Sequence, residues 1–382
     1  MLDLSLLVLI VFFNFYANVR IATRWHIPKR IYVQLQALWV YHLLFTSVFS
    51  CYILKKGGDA LAYWTLTTNV MTGPSERWMD YFGLSTFFVQ WLNFLLYKIM
   101  DLSFITGNYL WGMMGYLGIR ILFLLSYQAF IKEAPLRRQP IYLCVFFLPS
   151  LHFWSAGIGK ESITLFALAW LLWGMSYLHK FGWQLIPACG LLFLIRPHLG
   201  FLALALIGLI FGISPVFALK NKMIISICAG IVLLVMSPIL VQYLNISDLS
   251  LTSMGSLMDY QITLLQQAGS SVNLASYNQV QRVLTFLFRP LFFDAYHWES
   301  YVASIENLIY VAAVPMLAFY GDRAGVRKMP VYLSFGFLFF IATTLIFANS
   351  LSNLGIMMRM KSFTIIFMIL VVVYLMVFSK ES

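Results

Sequence analysis

The sequence predicts an all-α fold, a polytopic transmembrane helix bundle. Apolar residues make up 61% of the chain and charged residues 10%, against about 45–50% and about 25% in soluble domains. The apolar residues fall in long unbroken runs rather than in alternation, which excludes a β-barrel. Lys and Arg gather in short clusters between the runs, as orientation signals do. At about 20 apolar residues per crossing, roughly ten or eleven helices fit. The net charge is +11, with 25 basic against 14 acidic residues. In such a chain the excess marks cytoplasmic loops and anionic headgroups and gives no reason to expect nucleic acid. Cys51, Cys144, Cys189 and Cys228 lie in apolar runs without metal spacing and read as small core residues. The first apolar run lacks a basic n-region and a cleavage site, so it reads as a retained helix.

The elements follow in order. Residues 2–19 cross first, and Arg20, Arg24, Lys29 and Arg30 mark a cytoplasmic loop behind them. Residues 32–54 cross back to Lys55-Lys56-Gly57-Gly58-Asp59 outside. Tyr63 and Trp64 suit the headgroup zone. Residues 57–104 form an external loop, in which Leu84–Ile99 reads as an interfacial or re-entrant helix flanked by Trp78, Trp91, Lys98 and Asp101. A full crossing there would place Lys132, Arg137 and Arg138 outside. Residues 105–131 lead in, 140–158 out to Lys160-Glu161, and 162–178 back to His179 and Lys180. Residues 183–195 lead out to Arg196-Pro197-His198, and 199–218 return to Lys220 and Lys222. Residues 223–243 lead to a long external loop, 244–303. Residues 304–320 return to Arg323, Arg327 and Lys328, 330–348 lead out to 349–361, and 362–379 return to Lys380. The sum is about eleven crossings in a single transmembrane domain, 1–382, without an internal repeat. The loop 244–303 is polar through Asn245–Gln281, and Val283–Pro290 is expected to settle back on the membrane surface. Long structured loops are more often functional than decorative.

The external ionisable residues are the candidate site. Asp59 follows two glycines and reads either as a turn residue or as a base that takes a proton from an acceptor sugar hydroxyl attacking a lipid-linked donor. Partial desolvation at the membrane boundary would make it a better base. Arg196 reads as a snorkelling cation or as a bidentate phosphate ligand, with His198 beside it to donate to the same group or assist a leaving phosphate. The run His152–Ser162 carries Gly157 and Gly159 but does not meet the G-x-x-x-x-G-K-[ST] pattern, which excludes a P-loop. It leaves Lys160 and Glu161 on a flexible turn, either as a local ion pair or as site residues. Arg289, Arg359 and Lys361 complete a set of external cations at helix ends, for which a common anionic ligand is one explanation. Arg120, inside the third crossing, either pairs with a carboxylate or snorkels. No His, Asp or Glu set has metal-ligand spacing.

These blocks resemble a known family. Gly58-Asp59-Ala60 with Tyr63, the segment Phe153–Glu161, Arg196-Pro197-His198 and Phe288–Ala295 are similar to blocks of membrane proteins from bacterial exopolysaccharide and O-antigen polymerase-like clusters. The first external loop with its acid resembles GT-C-fold membrane glycosyltransferases. Asn353–Lys361 resembles their Arg-Tyr-Arg-Leu-Pro segment, with Met360 and Lys361 in place of the Tyr and the second Arg, and without the Pro. The resemblance touches residues 57–379. It implies a GT-C-like bundle and a glycosyltransferase or polysaccharide polymerase at the external face of the bacterial cytoplasmic membrane. The donor would be a polyprenyl-(pyro)phosphate-linked sugar and the acceptor a saccharide, with polysaccharide-assembly proteins as partners. Asp59 would match the loop acid and Arg359 the lipid-phosphate arginine, whereas no second loop acid pairs plainly with Asp59; Glu76 and Asp80 are the candidates for one, which would bring in a divalent cation, and no cofactor is firmly implied. The alternatives are a transporter or flippase of the same lipids, which should carry midplane polar residues, and a non-catalytic subunit of an export complex.

Overall fold

The computed structural model describes residues 2–67, 75–213, 219–265, 269–295, 297–321 and 323–378. Lys380, expected to end the last crossing on the cytoplasmic side, lies outside them. Every named element is helical among the described residues. The chain gathers into two compact units: Met1–Gly174 with Trp183–Arg196, and Met175–Gly182 with Pro197–Ser382.

The first unit opens with α1 (Leu2–Arg24) and α2 (Lys29–Lys56). Lys55 and Lys56 fill the last turn of α2, where cations complement the helix dipole. Gly57 and Gly58 follow with φ of 74° and 130°, a left-handed corner that a β-carbon resists. The corner sets α3 (Asp59–Trp64) against α2. α4 (Thr86–Phe94) runs into a π-helical turn, Leu95–Ile99. Together they reach about 21 Å, short of the roughly 30 Å hydrocarbon core. α5 (Phe104–Ala129) is capped by the Ser103 side chain, which accepts from the Thr106 amide.

The expected crossing 140–158 is not one helix. It breaks into α6 (Gln139–Leu143), a 3-10 turn Cys144–Phe147 and α7 (Pro149–Ser155). The cause is Pro149: it pushes Leu148 to ψ 123°, because the residue before proline is disfavoured in the helical region. α8 (Lys160–Ser176) follows, then α9 (Leu178–Phe181), which belongs to the second unit, and α10 (Leu185–Ile195).

α5 holds the segment after α7 at backbone distance. A β-carbon at Gly112 would lie 2.6 Å from the Ala156 carbonyl oxygen, and one at Gly115 would overlap that of Ser155. Small residues are what allow such an approach between apolar segments.

The second unit contains α11 (Pro197–Ile213), α12 (Leu219–Leu244), α13 (Leu251–Leu265), α14 (Gln279–Phe288), α15 (Trp298–Tyr320), α16 (Arg323–Lys328), α17 (Val331–Ala348), α18 (Leu354–Ser362) and α19 (Ile365–Phe378). α12 packs on α11 and turns Met223, Ile227, Ile231 and Leu234 outward, as a lipid-facing helix does. α19 is buried along most of its length between α15 and α17. The 244–303 segment docks on residues 349–354. The Val272 amide donates to the Ser352 carbonyl at 2.7 Å, the Leu354 amide to that of Ser270 at 3.0 Å, and the Ser352 hydroxyl to that of Ile262 at 2.8 Å. α14 packs on α17, and buried Phe286 meets the Phe347 ring at 5.9 Å. Phe286 is thus covered by the protein, while Val280 and Leu284 on the same helix stay exposed.

Among the described residues, seven helical stretches are long and apolar enough to cross a membrane, or eight if α18 and α19, bent by 49°, count as one span. About eleven crossings were expected. The difference lies in the broken 140–158 segment and in α8 and α11, each of 17 residues.

Gly115→Ala should destabilise the protein by about 1–3 kcal/mol through overpacking. Gly190→Ala on α10, with no atom within 4 Å of the added carbon, should be neutral or stabilising. Thermal unfolding in detergent checks both, and equal effects would contradict the close approach.

Candidate functional site

In the first unit the site is built where α7 gives way to α8. The Gly157–Gly159 turn is pinned by Asn108 of α5, whose Oδ1 accepts the Ile158 amide at 2.9 Å and whose Nδ2 donates to Ser50 at 3.2 Å. The Ser162 hydroxyl donates to the Gly157 carbonyl at 2.6 Å. This turn, expected to be flexible, is therefore tied on both sides. It presents Lys160 and Glu161 in the first turn of α8.

Glu161 and Arg196 are both buried and form an ion pair. The Arg196 Nε donates to Thr164 Oγ1 at 3.3 Å. Arg196 is carried by the end of α10, which is fastened where the Ser85 amide donates to the Leu194 carbonyl at 2.7 Å. An ion pair taken out of water survives only with such added hydrogen bonds.

Asp59 is exposed at the first residue of α3, where the sequence suggested partial desolvation. One helical turn on, Tyr63 is buried, and the half-buried Lys160 lies over its ring, with Nζ 5.9 Å from the centroid. Residues four apart share a helix face, so Lys160 comes to the face of α3 that begins with Asp59. α3 is held in turn by Asn93 of α4, which donates to the Tyr63 carbonyl at 3.2 Å and accepts from Trp111 at 2.8 Å. The other loop acids are engaged elsewhere. Asp80 accepts from the Ser75 hydroxyl at 2.5 Å, and Glu76 pairs with Lys98 at 2.9 Å, an exposed pair of little energetic weight.

The second unit holds another cluster. Arg289 grips Asp294 with two bonds, Nε to Oδ2 at 2.9 Å and Nη2 to Oδ1 at 2.5 Å. A further bond runs from Nη1 to the Tyr277 hydroxyl at 3.3 Å. Lys361 is buried, and its ammonium donates to the Asn307 side chain at 2.7 Å and to the carbonyls of Leu287 at 2.9 Å and Arg289 at 3.3 Å. These carbonyls at the end of α14 have no helical donor of their own, so Lys361 caps that helix from α18. Tyr310 donates to Glu306, and its ring lies 5.4 Å from the Lys361 Nζ.

The structure thus joins Asp59, Lys160, Glu161 and Arg196 in one unit, and Arg289 and Lys361 in the other. Arg359 is half-buried on α18, and His198 is half-buried at the start of α11. Among the described residues, no group of three or more His, Cys, Asp or Glu side chains is arranged to hold a metal ion.

Sequence reading placed the polar residues at one face and missed an interior set. The buried Asn14 and Asn18 of α1 accept from Arg120 Nη1, each at 3.3 Å, so Arg120 binds amides rather than a carboxylate. Asn18 donates to the Tyr116 hydroxyl at 2.8 Å. Buried His42 and His152 face each other through their Nδ1 atoms at 2.9 Å. Asn14, His42 and Tyr116 stand near the middles of α1, α2 and α5. Their positions in otherwise apolar runs were the available signal.

Two outcomes follow from the two ion pairs. Glu161→Gln or Arg196→Met alone should cost about 3–5 kcal/mol by stranding a buried charge, and the double variant should recover part of the loss in a thermal-unfolding cycle. In the second unit, burial works against ionisation of Asp294, but the Arg289 bonds and the Leu291 amide outweigh it, and the carboxyl lies below its ordinary value of 3.8. A depressed carboxyl stabilises fully above that ordinary value, and the contribution is lost as pH falls through the folded one. Hydrogen exchange at the Leu291 amide, which donates to Asp294 at 3.2 Å, should therefore accelerate only in acid, and in Asp294→Asn at every pH.

Comparison with protein-family models, with curated proteins and with solved structures finds no match to this chain.

Proposed function

We propose that this chain is a membrane glycosyltransferase or polysaccharide polymerase with a polyprenyl-(pyro)phosphate-linked donor, its site at the external face of the bacterial cytoplasmic membrane and its fold GT-C-like. The observation that carries the reading is a half-buried cation one helical turn from an exposed acid: Lys160 lies over the Tyr63 ring, and Asp59 begins the same short helix. Asp59 acts as general base on the acceptor hydroxyl, and Lys160 contacts the donor phosphate as a point charge. Arg196 holds Glu161 and the α8 start in place. Polysaccharide-assembly proteins are the natural partners of such an enzyme.

A transporter of the same lipid-linked saccharides is the second reading. The buried polar side chains midway along α1, α2 and α5 favour it, since ionisable groups at that depth mark transport and proton pathways.

Asp59→Asn separates the two. It keeps the size of the side chain and removes proton acceptance. Under the enzyme reading the variant folds, binds donor and loses about a hundredfold to ten-thousandfold in product formation. Glu76→Gln and Asp80→Asn should be milder, unless a divalent cation bridges the acids, in which case chelator inhibits the wild type and all three variants fail alike. Product is measured by mass analysis with purified protein and lipid-linked donor. Near wild-type turnover by Asp59→Asn would remove the base. Absence of any product in the wild type, with lipid movement across reconstituted vesicles, would favour the transporter.

A further inference from the structure

The His42–His152 contact fixes its own proton count. His42 Nε2 lies 2.8 Å from the Gly112 carbonyl oxygen, and His152 Nε2 lies 2.7 Å from that of Phe146. A carbonyl oxygen only accepts, so both Nε2 atoms carry hydrogen. A neutral imidazole with hydrogen on Nε2 has a bare lone pair on Nδ1. Two such lone pairs would face each other at 2.9 Å, a hydrogen-bond distance that repels unless a proton lies between. Both rings are fully buried, so water does not relieve the contact.

We infer that His42 and His152 form a binding site for a single proton, held between their Nδ1 atoms, that ties α2 to α7. With the proton bound, one ring is an imidazolium and donates to the other, and all three contacts are made. Without it, one ring must give up its carbonyl or the rings must part. A second proton would set two N–H groups and two charges against each other. Among the described residues, the neighbours oppose a second charge, since they supply a cation and no carboxylate. From α2, Tyr41 stands edge-on to His152 at 4.8 Å. From α5, the Tyr116 ring is 6.0 Å from His42, with the Arg120 guanidinium 5.5 Å from that ring. The Cys144–Phe147 turn brings the Phe146 carbonyl to His152 and the Phe147 ring to Tyr41, and Cys144 itself is exposed and turned to the Pro140 carbonyl. No carboxylate bonds either imidazole among the described residues.

The site bears on the Gly-rich turn. His152 lies in α7, which ends at Ser155, and the turn follows at once. His42 holds Gly112, whose Cα lies against the Ala156 carbonyl. Loss of the proton therefore loosens the step from α7 to α8 that presents Lys160. This holds whether the protein is an enzyme or a transporter.

The test uses the full chain, labelled with nitrogen-15 histidine, in lipid nanodiscs. His42→Gln and His152→Gln spectra assign the pair among the six histidines. The expected result is three protonated ring nitrogens across the pair, with scalar coupling between the two Nδ1 atoms, and a single deprotonation step as pH is raised. Hydrogen exchange at the Ile158 amide, corrected for intrinsic rates, should speed up over that same step. The extra pH dependence should be lost in His42→Gln. Two protonated nitrogens, one per ring, at every pH at which the protein stays folded would overturn the proposal, as would four. A proton step that leaves Ile158 exchange unchanged would overturn the coupling to the turn.

Discussion

Arg196 and Glu161 lie within a largely apolar unit, and neither could remain there alone as a charged group. An uncompensated buried charge costs several kcal/mol, so the chain must bring the two together and keep them there. Much of the local architecture follows. Glu161 comes from the start of α8 and Arg196 from the end of α10. Gly159 sits where a β-carbon would lie 3.1 Å from Glu161 Oε2. Thr164 takes the Arg196 Nε, and Ser85 holds the last turn of α10 through the Leu194 carbonyl. The second unit meets the same constraint differently. Lys361 is surrounded by carbonyl and amide oxygens, and in satisfying them it closes the end of α14.

The helical class and most of the long helices were legible in the sequence, because an unbroken apolar run of membrane length has few other solutions. α1, α2, α5, α12, α15 and α17 stand close to where the runs place them. The 140–158 run was misread because its apolarity is continuous while its backbone is not. Pro140 and Pro149 were the signal, and proline acts on geometry rather than on hydropathy. The division into two units had no counterpart in composition, since both are apolar. Within the candidate site, the residue types were legible and their partners were not. Nothing local marks Arg196 as the partner of Glu161, 35 positions away. Asp294 was visible five residues from Arg289, but a bidentate bond depends on the turn between them.

Burial sorts the candidate residues by what each can still do. Phosphate capture by Arg196 would have to share a guanidinium that already holds buried Glu161, and drawing it away would strand that carboxylate. Arg289 is committed to Asp294 and Tyr277 in the same way, and Lys361 to the end of α14. Their positions at helix junctions, which suggested ligand binding, are explained by the junctions they secure. Asp59 differs, because an exposed acid on a six-residue helix contributes little to the fold. Lys160, His198 and Arg359 are intermediate, each reaching the surface in part. If the chain performs chemistry on an anionic lipid-linked substrate, the exposed and half-buried members are the ones with access to it. The buried members then act by fixing where those side chains stand, and the two groups should separate in experiment: the first by activity at unchanged stability, the second by stability.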